Sequence, residues 1–254
     1  MIDFKDIRDV HLEIATLCNA RCPWCPRNFW GFPFNGGYPE TYLTLDQAKQ
    51  IFKTEFLQQL DSIRINGNFG DIVMNPEGQD IVSYFRESNQ NLQITINTNG
   101  GARKKEFWQS LANSHAGVSF ALDGLSDTHS LYRQDTLWST VIKNAKTFIK
   151  HGGEATWQFI EFDHNRHQID RCRELSNELG FKNFDLVDDG RNIAPVFDKK
   201  GNLSHVLGDY RDELSFEKLI TSKRNDQILL EDIIDKEPCF KINCETQSYK
   251  SIYV

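Results

Sequence analysis

Three cysteines stand close together near the start of the chain, in the run Cys18-Asn-Ala-Arg-Cys22-Pro-Trp-Cys25. Three thiolates within eight residues of one loop can converge on one small inorganic centre. Iron–sulfur clusters are ordinarily held by four cysteines, so three leave one iron without a protein donor. An open coordination position is what separates a catalytic metal site from a structural one. The rival reading is a zinc-stabilised binding module, its loop a scaffold completed by a distant His or Cys. Zinc sites usually come as paired CxxC units, and no second pair stands close by. Position just after the first strand favours chemistry, because barrel strands carry their reactive groups at their C-terminal ends.

Other polar groups recur at strand ends. After the second strand comes Asn66-Gly67-Asn68-Phe69-Gly70-Asp71-Ile72, in which Gly67 and Gly70 let the backbone approach a ligand and Asp71 offers a carboxylate to an ammonium group. The third strand ends in Asn97-Thr98-Asn99-Gly100, and the fourth runs from Val118 through Ser119 into Asp123-Gly124, with His129, Tyr132 and Arg133 beyond. The planar fork of Arg133 suits bidentate bonding to a carboxylate. Gln158 and Asn165 flank the end of the fifth strand, and Asn165 also reads as a helix cap. Cys172 shares the apolar side of its helix with Ile169 and Leu175 and reads as a core thiol. His164 and His167, at a helix start, read as solvated.

The CxxxCxxC spacing, with Trp24 before the last cysteine, resembles the signature of the radical S-adenosylmethionine (SAM) superfamily, over roughly residues 8–187. The resemblance implies a [4Fe–4S] cluster on Cys18, Cys22 and Cys25, with the open iron chelated by the methionine end of SAM. One electron would then release a 5′-deoxyadenosyl radical that abstracts a substrate hydrogen. The run at 67–72 resembles the family's Gly-Gly-Glu-Pro motif, with Asp71 for Glu and Ile72 for Pro. By the same resemblance Gly67, Gly70, Asp71, Asn97, Asn99, Ser119, Asp123, Arg133 and Gln158 are expected to contact SAM. Ser119 and Asp123 are expected at its ribose or the substrate, and Arg133 at its carboxylate. A reductant protein such as a flavodoxin or ferredoxin, and a peptide or small-molecule substrate, are the implied partners. Cys239 and Cys244 look like the opening of a SPASM or twitch extension, either as ligands of an auxiliary Fe–S cluster or, in a shortened remnant, as plain structural thiols. A SAM-binding protein without turnover is the remaining alternative.

The elements that must position these groups alternate short apolar runs with amphipathic stretches, the rhythm of βα units around a parallel sheet. Strands are expected at Val10 to Ala15, Ser62 to Asn66, Leu92 to Asn97, Val118 to Leu122, Thr156 to Phe162 and Asn183 to Val187. A helix is expected from Thr44, which forms a capping box with Gln47, on through Phe52 to Leu60. Others are expected over 77–88, 103–113, 134–151 and 166–179, the last closed by Gly180. The fold class is α/β: a partial (β/α)6 TIM-like barrel over 1–190, with a short C-terminal appendage over 191–254. A flavodoxin-like open sheet is the structural alternative. Within the appendage a loop to about Asp209, a helix near 212–223 and a β-like run from Ser251 to Val254 are expected.

A net charge of -7 argues against general nucleic-acid binding, which needs a basic surface. The first residues lack signal-peptide character and no apolar run approaches the length of a membrane span, so a cytoplasmic setting without membrane is expected. Thiols stay reduced there, and the six cysteines read as metal ligands plus core residues rather than disulfides. Replacing Cys22 by Ala is expected to abolish cluster assembly and reductive SAM cleavage while the barrel stays folded. Iron analysis of the reconstituted variant checks this, and wild-type iron content would refute the assignment.

Overall fold

The computed structural model describes residues 3–33, 39–187, 193–208 and 251–253. In chain order it begins with β1 (Asp9–Leu12), the small hairpin β2 (Asn28–Phe29) and β3 (Phe32–Pro33), then α1 (Leu45–Ile51) and α2 (Thr54–Gln59). β4 (Ser62–Asn66), α3 (Gly78–Ser88), β5 (Gln93–Thr98), α4 (Lys105–Asn113) and β6 (Gly117–Ala121) follow. Next come α5 (His129–Tyr132), α6 (Trp138–Lys150), β7 (Glu154–Ile160), α7 (Ile169–Leu179) and β8 (Asn183–Val187). The hairpin β9 (Ile193–Phe197) and β10 (Leu203–Gly208) precedes the final strand β11 (Ser251–Tyr253).

Seven strands form one sheet in the order β11-β1-β4-β5-β6-β7-β8, and every pairing is parallel. From β1 to β8 each strand is added beside the one before it. Crossovers between parallel strands are right-handed, so sequential addition puts the helices on one face and curls the sheet toward a barrel. A flavodoxin-like sheet, order 2-1-3-4-5, reverses direction among its first strands, whereas the described strands run in sequence from β1 to β8 and only β11 is added at the other edge, beside β1. Among the described residues no pairing joins β8 to β11, so the barrel is partial.

The alternation along the strands divides the sheet into two chemically different faces. Ile94, Ile96, Val118, Phe120, Trp157 and Phe159 point to the helices and are buried, in one core with Val82, Phe85, Trp108, Leu111 and Phe148. The intervening Thr95, Asn97, Ser119, Thr156 and Gln158 face the concave side and are half-buried. A core of this size leaves the concave face free to be polar.

Local signals act as the spacing predicts at several helix ends. Thr44 and Gln47 form the capping box of α1, and Gly180 ends α7 at φ 84°. The helix expected to continue from Thr44 to Leu60 instead breaks at Phe52 (φ −99°, ψ 76°). The Phe52 ring is buried against Phe85, 5.2 Å between centroids, and its carbonyl accepts from Tyr84 Oη at 2.7 Å. Tertiary packing and a side-chain donor thus replace the next helical turn. The stretch expected to be a loop to about Asp209 contains the β9–β10 hairpin. Pro195 lacks an N–H and disguises β9 as non-strand. The turn itself is closed by Asp198, which accepts from Lys200 N and Asn202 N, with Gly201 at φ 83°. The helix expected near 212–223 lies outside the described residues.

At the centre of the core the Phe120 ring meets Trp108, Phe148 and Phe181 at 5.2, 5.9 and 6.2 Å. Phe120→Ala is expected to destabilise the fold by about 3–5 kcal/mol, read from denaturant midpoints at unchanged slope.

Candidate functional site

The cysteine loop leaves β1 at the C-terminal edge of the sheet and is shaped first by its own backbone. Cys25 N donates to Cys22 O at 3.0 Å and Asn28 N to Cys25 O at 2.9 Å, and Ala20 N approaches Cys18 Sγ at 3.4 Å. Trp24 meets Trp30 edge-on at 4.7 Å, and Arg21 is paired with Asp135 at 2.6 Å. Over this loop the β9–β10 hairpin places Val196 and Leu207 against Ala20, Cys22, Tyr132, Ile160 and Phe162.

The loop after β4 is fastened directly beneath it. A Cβ on Gly70 would lie 2.0 Å from Ala15 O, and one on Gly67 would lie 1.3 Å from Gly70 O. The two glycines therefore permit close approach of backbone to backbone. Asp71 N donates to Leu17 O at 2.9 Å, fixing this loop to the residue before Cys18. The Asp71 carboxylate is buried and fully engaged: Oδ1 accepts from Thr98 Oγ1 (2.7 Å) and Val73 N (3.0 Å). Its Oδ2 accepts from Asn99 N (2.7 Å) and Asn99 Nδ2 (2.8 Å). Asn99 Nδ2 also lies 3.5 Å from Cys18 Sγ and 3.0 Å from Asn19 Oδ1.

Together these elements enclose a cavity of about 280 Å³ that contains all three thiols in its wall. Of the residues singled out in the sequence, Gly67, Gly70, Asp71, Asn97, Asn99, Arg133 and Gln158 line it as well. Ser119 and Asp123 are outside that lining. Ser119 is half-buried on β6, opposite Asn97 and Thr156 in register. Asp123 is fully buried, with Oδ2 2.5 Å from Arg133 Nε and Oδ1 accepting from Ile160 N at 2.7 Å. Arg133 Nη1 lies 3.5 Å from Cys22 Sγ. Cys239 and Cys244 lie outside the described residues.

Several side chains show a part that spacing did not. Arg27 is buried beside Cys25, and its Nη1 donates to Phe69 O at 2.9 Å. Its place two residues after the last cysteine is the one sequence signal for it. Asn165 stands at the N-cap position but its side chain makes no cap hydrogen bond; its Nδ2 instead donates to Asp123 O (3.3 Å) and Ile160 O (2.9 Å). Cys172 is a buried core thiol. His167 is exposed, whereas His164 is half-buried against Phe162, and burial pushes its pKa down to about 4.

The electrostatics suit a cationic occupant. Burial, then Asp71 and Cys22, drives the Cys18 thiol far above its ordinary range, and burial with Cys22 raises Cys25 to about 11. Metal ligation requires thiolates, so the ionised loop calls for positive charge of the kind an iron–sulfur core would supply. Burial likewise raises Asp71 despite its donors. Burial opposes the charge of Arg133, yet Asp123, Cys22 and Tyr132 outweigh it and hold the guanidinium ionised. The three thiols share one cavity without closing on a point. Among the described residues no three His, Cys, Asp or Glu side chains stand close enough to chelate a single ion. Three thiolates around a gap, with a polar cavity beside them, fit a cluster that keeps one iron for an outside ligand.

The sequence profile of the radical SAM superfamily matches residues 12–161. This chain belongs to the radical SAM superfamily. Among curated proteins it resembles the GTP 3′,8-cyclase of Pectobacterium atrosepticum, at 25% identity over 128 residues, half of this chain and 38% of that protein. The Staphylococcus aureus GTP 3′,8-cyclase is 26% identical over 125 residues, 49% of this chain and 36% of the relative. The chain thus matches well under half the length of these relatives.

Among solved structures it resembles Streptococcus suis SuiB bound to S-adenosylmethionine, with TM-score 0.58 and 17% identity, over 72% of this chain and 41% of SuiB. It also resembles anSMEcpe with bound AdoMet, with TM-score 0.57 and 16% identity, over 71% of this chain and 49% of that one. These likenesses show a shared radical SAM fold, the partial barrel described above.

Asp71 ties three chain segments together before any ligand is present. Asp71→Ala is expected to destabilise iron-free protein by about 2–4 kcal/mol, because several buried donors lose their acceptor at once. Denaturation of the iron-free variant checks this. A carboxylate that served only a bound ligand would leave that stability unchanged.

Proposed function

We propose that this chain is a radical SAM enzyme that abstracts hydrogen from a peptide or small-molecule substrate. The observation that carries the reading is the convergence of Cys18, Cys22 and Cys25 with Gly67, Gly70, Asp71, Asn97, Asn99, Arg133 and Gln158 on one cavity. When bound, a [4Fe–4S] cluster and SAM supply the chemistry: one-electron cleavage of SAM to methionine and a hydrogen-abstracting 5′-deoxyadenosyl group. The chain supplies the three thiolates, and the loops after β4 and β5 shape the pocket beside them. Gly67 and Gly70 bring backbone to the cavity wall, and Asn97 and Gln158 present hydrogen-bonding groups from the concave sheet face. Ser119, on that same face, is positioned to meet a substrate group rather than the cysteine loop. Asp123 acts through Arg133.

A substrate that is a peptide or a small polar molecule is supported by the relatives: SuiB has been solved with its precursor peptide SuiA, and the GTP 3′,8-cyclases are named for a nucleotide. The polar concave face suits either. The same reading calls for a reductant protein, such as a flavodoxin or ferredoxin, and for a reducing cytoplasm in which the thiols remain available to iron. No helix among the described residues is long and apolar enough to cross a membrane. Cys239 and Cys244 support a SPASM-like extension, with an auxiliary Fe–S cluster as what it would hold.

Two measurements test the reading. Anaerobically reconstituted protein, once reduced, should convert SAM to 5′-deoxyadenosine and methionine, and a cluster-loaded protein that leaves SAM intact would reject turnover. Iron content of about four per chain, unchanged in the Cys239→Ala/Cys244→Ala double variant, fits plain thiols at these positions, whereas about eight falling to about four fits an auxiliary cluster.

A further inference from the structure

We propose that Arg133 is a positioning residue that raises the reduction potential of the cluster, acting through the Cys22 sulfur from a guanidinium clamped by Asp123. The inference rests on the cluster reading above and adds to it a role for a buried ion pair that SAM chemistry alone does not require.

The clamp is built from three sides. Asp123 Oδ2 holds Arg133 Nε at 2.5 Å, while Asp123 is itself fixed by Ile160 N on Oδ1 and by Asn165 Nδ2 on its backbone carbonyl. The guanidinium lies over the Tyr132 ring, 4.9 Å from its centroid. With Nε and the ring face taken, Nη1 is left at 3.5 Å from Cys22 Sγ. Cys22 is buried, so the charge acts on it with little solvent screening.

The thiols are not treated alike. Cys18 has the neutral Ala20 N and Asn99 Nδ2 at 3.4 and 3.5 Å, Cys25 has the charge of Arg27 beside it, and Cys22 has the Arg133 guanidinium at hydrogen-bond reach, 3.5 Å away. Hydrogen bonds to ligating sulfurs and local net charge are what set cluster potentials. A cationic donor draws electron density from the sulfur and favours the reduced, more negative cluster. Asp123 moderates the charge and stops the side chain from turning away. With Nε on Asp123 and Nη1 toward Cys22, two of its three nitrogens are committed to protein partners.

The test is an EPR-monitored redox titration of the reconstituted, SAM-free holoenzyme and its variants. Arg133→Gln should keep the iron content of the wild type and shift the midpoint to a more negative potential. Arg133→Lys, which keeps the charge but loses the fork, should fall between Arg133→Gln and wild type. Should Arg133→Gln assemble too little cluster to titrate, Arg133→Lys carries the comparison in the same direction. A midpoint unmoved in the variants overturns the proposal, and unmoved midpoints with a large loss of SAM affinity would return Arg133 to the carboxylate. Wild-type protein that holds no cluster would overturn this and the cluster reading together, whereas a wild-type cluster with unmoved midpoints overturns this one alone.

Discussion

The cysteine loop packs on a small apolar cluster shared with α5 and the β9–β10 hairpin, but its junction with the neighbouring loops depends on a buried carboxylate that belongs to another segment. Asp71 gathers the backbone of Val73, the hydroxyl of Thr98, and both the backbone and side chain of Asn99. Through its own N–H it also holds Leu17, next to the first cysteine. A buried charge is tolerable only when its lone pairs are used, and here they are. The loops after β1, β4 and β5 are thereby locked to one another at the sheet edge where the thiols stand. Gly70 is part of the same constraint, since a side chain there would push the loop away from Ala15 and Leu17, and one on Gly67 would unfold the tight turn onto Gly70.

The sheet serves this arrangement by keeping its two faces distinct. Large apolar side chains fill the space under the helices and give the strands a rigid back. The concave face, relieved of any part in that core, carries Thr95, Asn97, Ser119, Thr156 and Gln158. Polar groups on such a face are not stability defects, because they remain partly hydrated and can exchange water for a ligand. The ion pair between Asp123 and Arg133 lies at the junction of the faces, where β6 ends and the cavity begins.

What could be read from the amino-acid order was whatever depends on neighbours along the chain. The Cys18, Cys22 and Cys25 spacing, the Thr44–Gln47 capping box, the Gly180 helix end and the alternation of the strands are all local, and they carried the fold class and the cysteine cluster with them. What lay beyond reach was partner choice among residues far apart in sequence. Asp71 reads as a free carboxylate until Thr98 and Asn99 arrive from the next strand. The Phe52 break waits on Tyr84 and Phe85, and the glycines on contacts with Ala15 and with each other. Arg133 and Asp123 were each marked as candidates, but only the packing of the α5 turn beneath the cysteine loop joined them and turned the arginine toward Cys22. Local spacing fixes which groups exist and which way a helix or strand presents them. The burial that decides their protonation and their partners is created only when the segments meet.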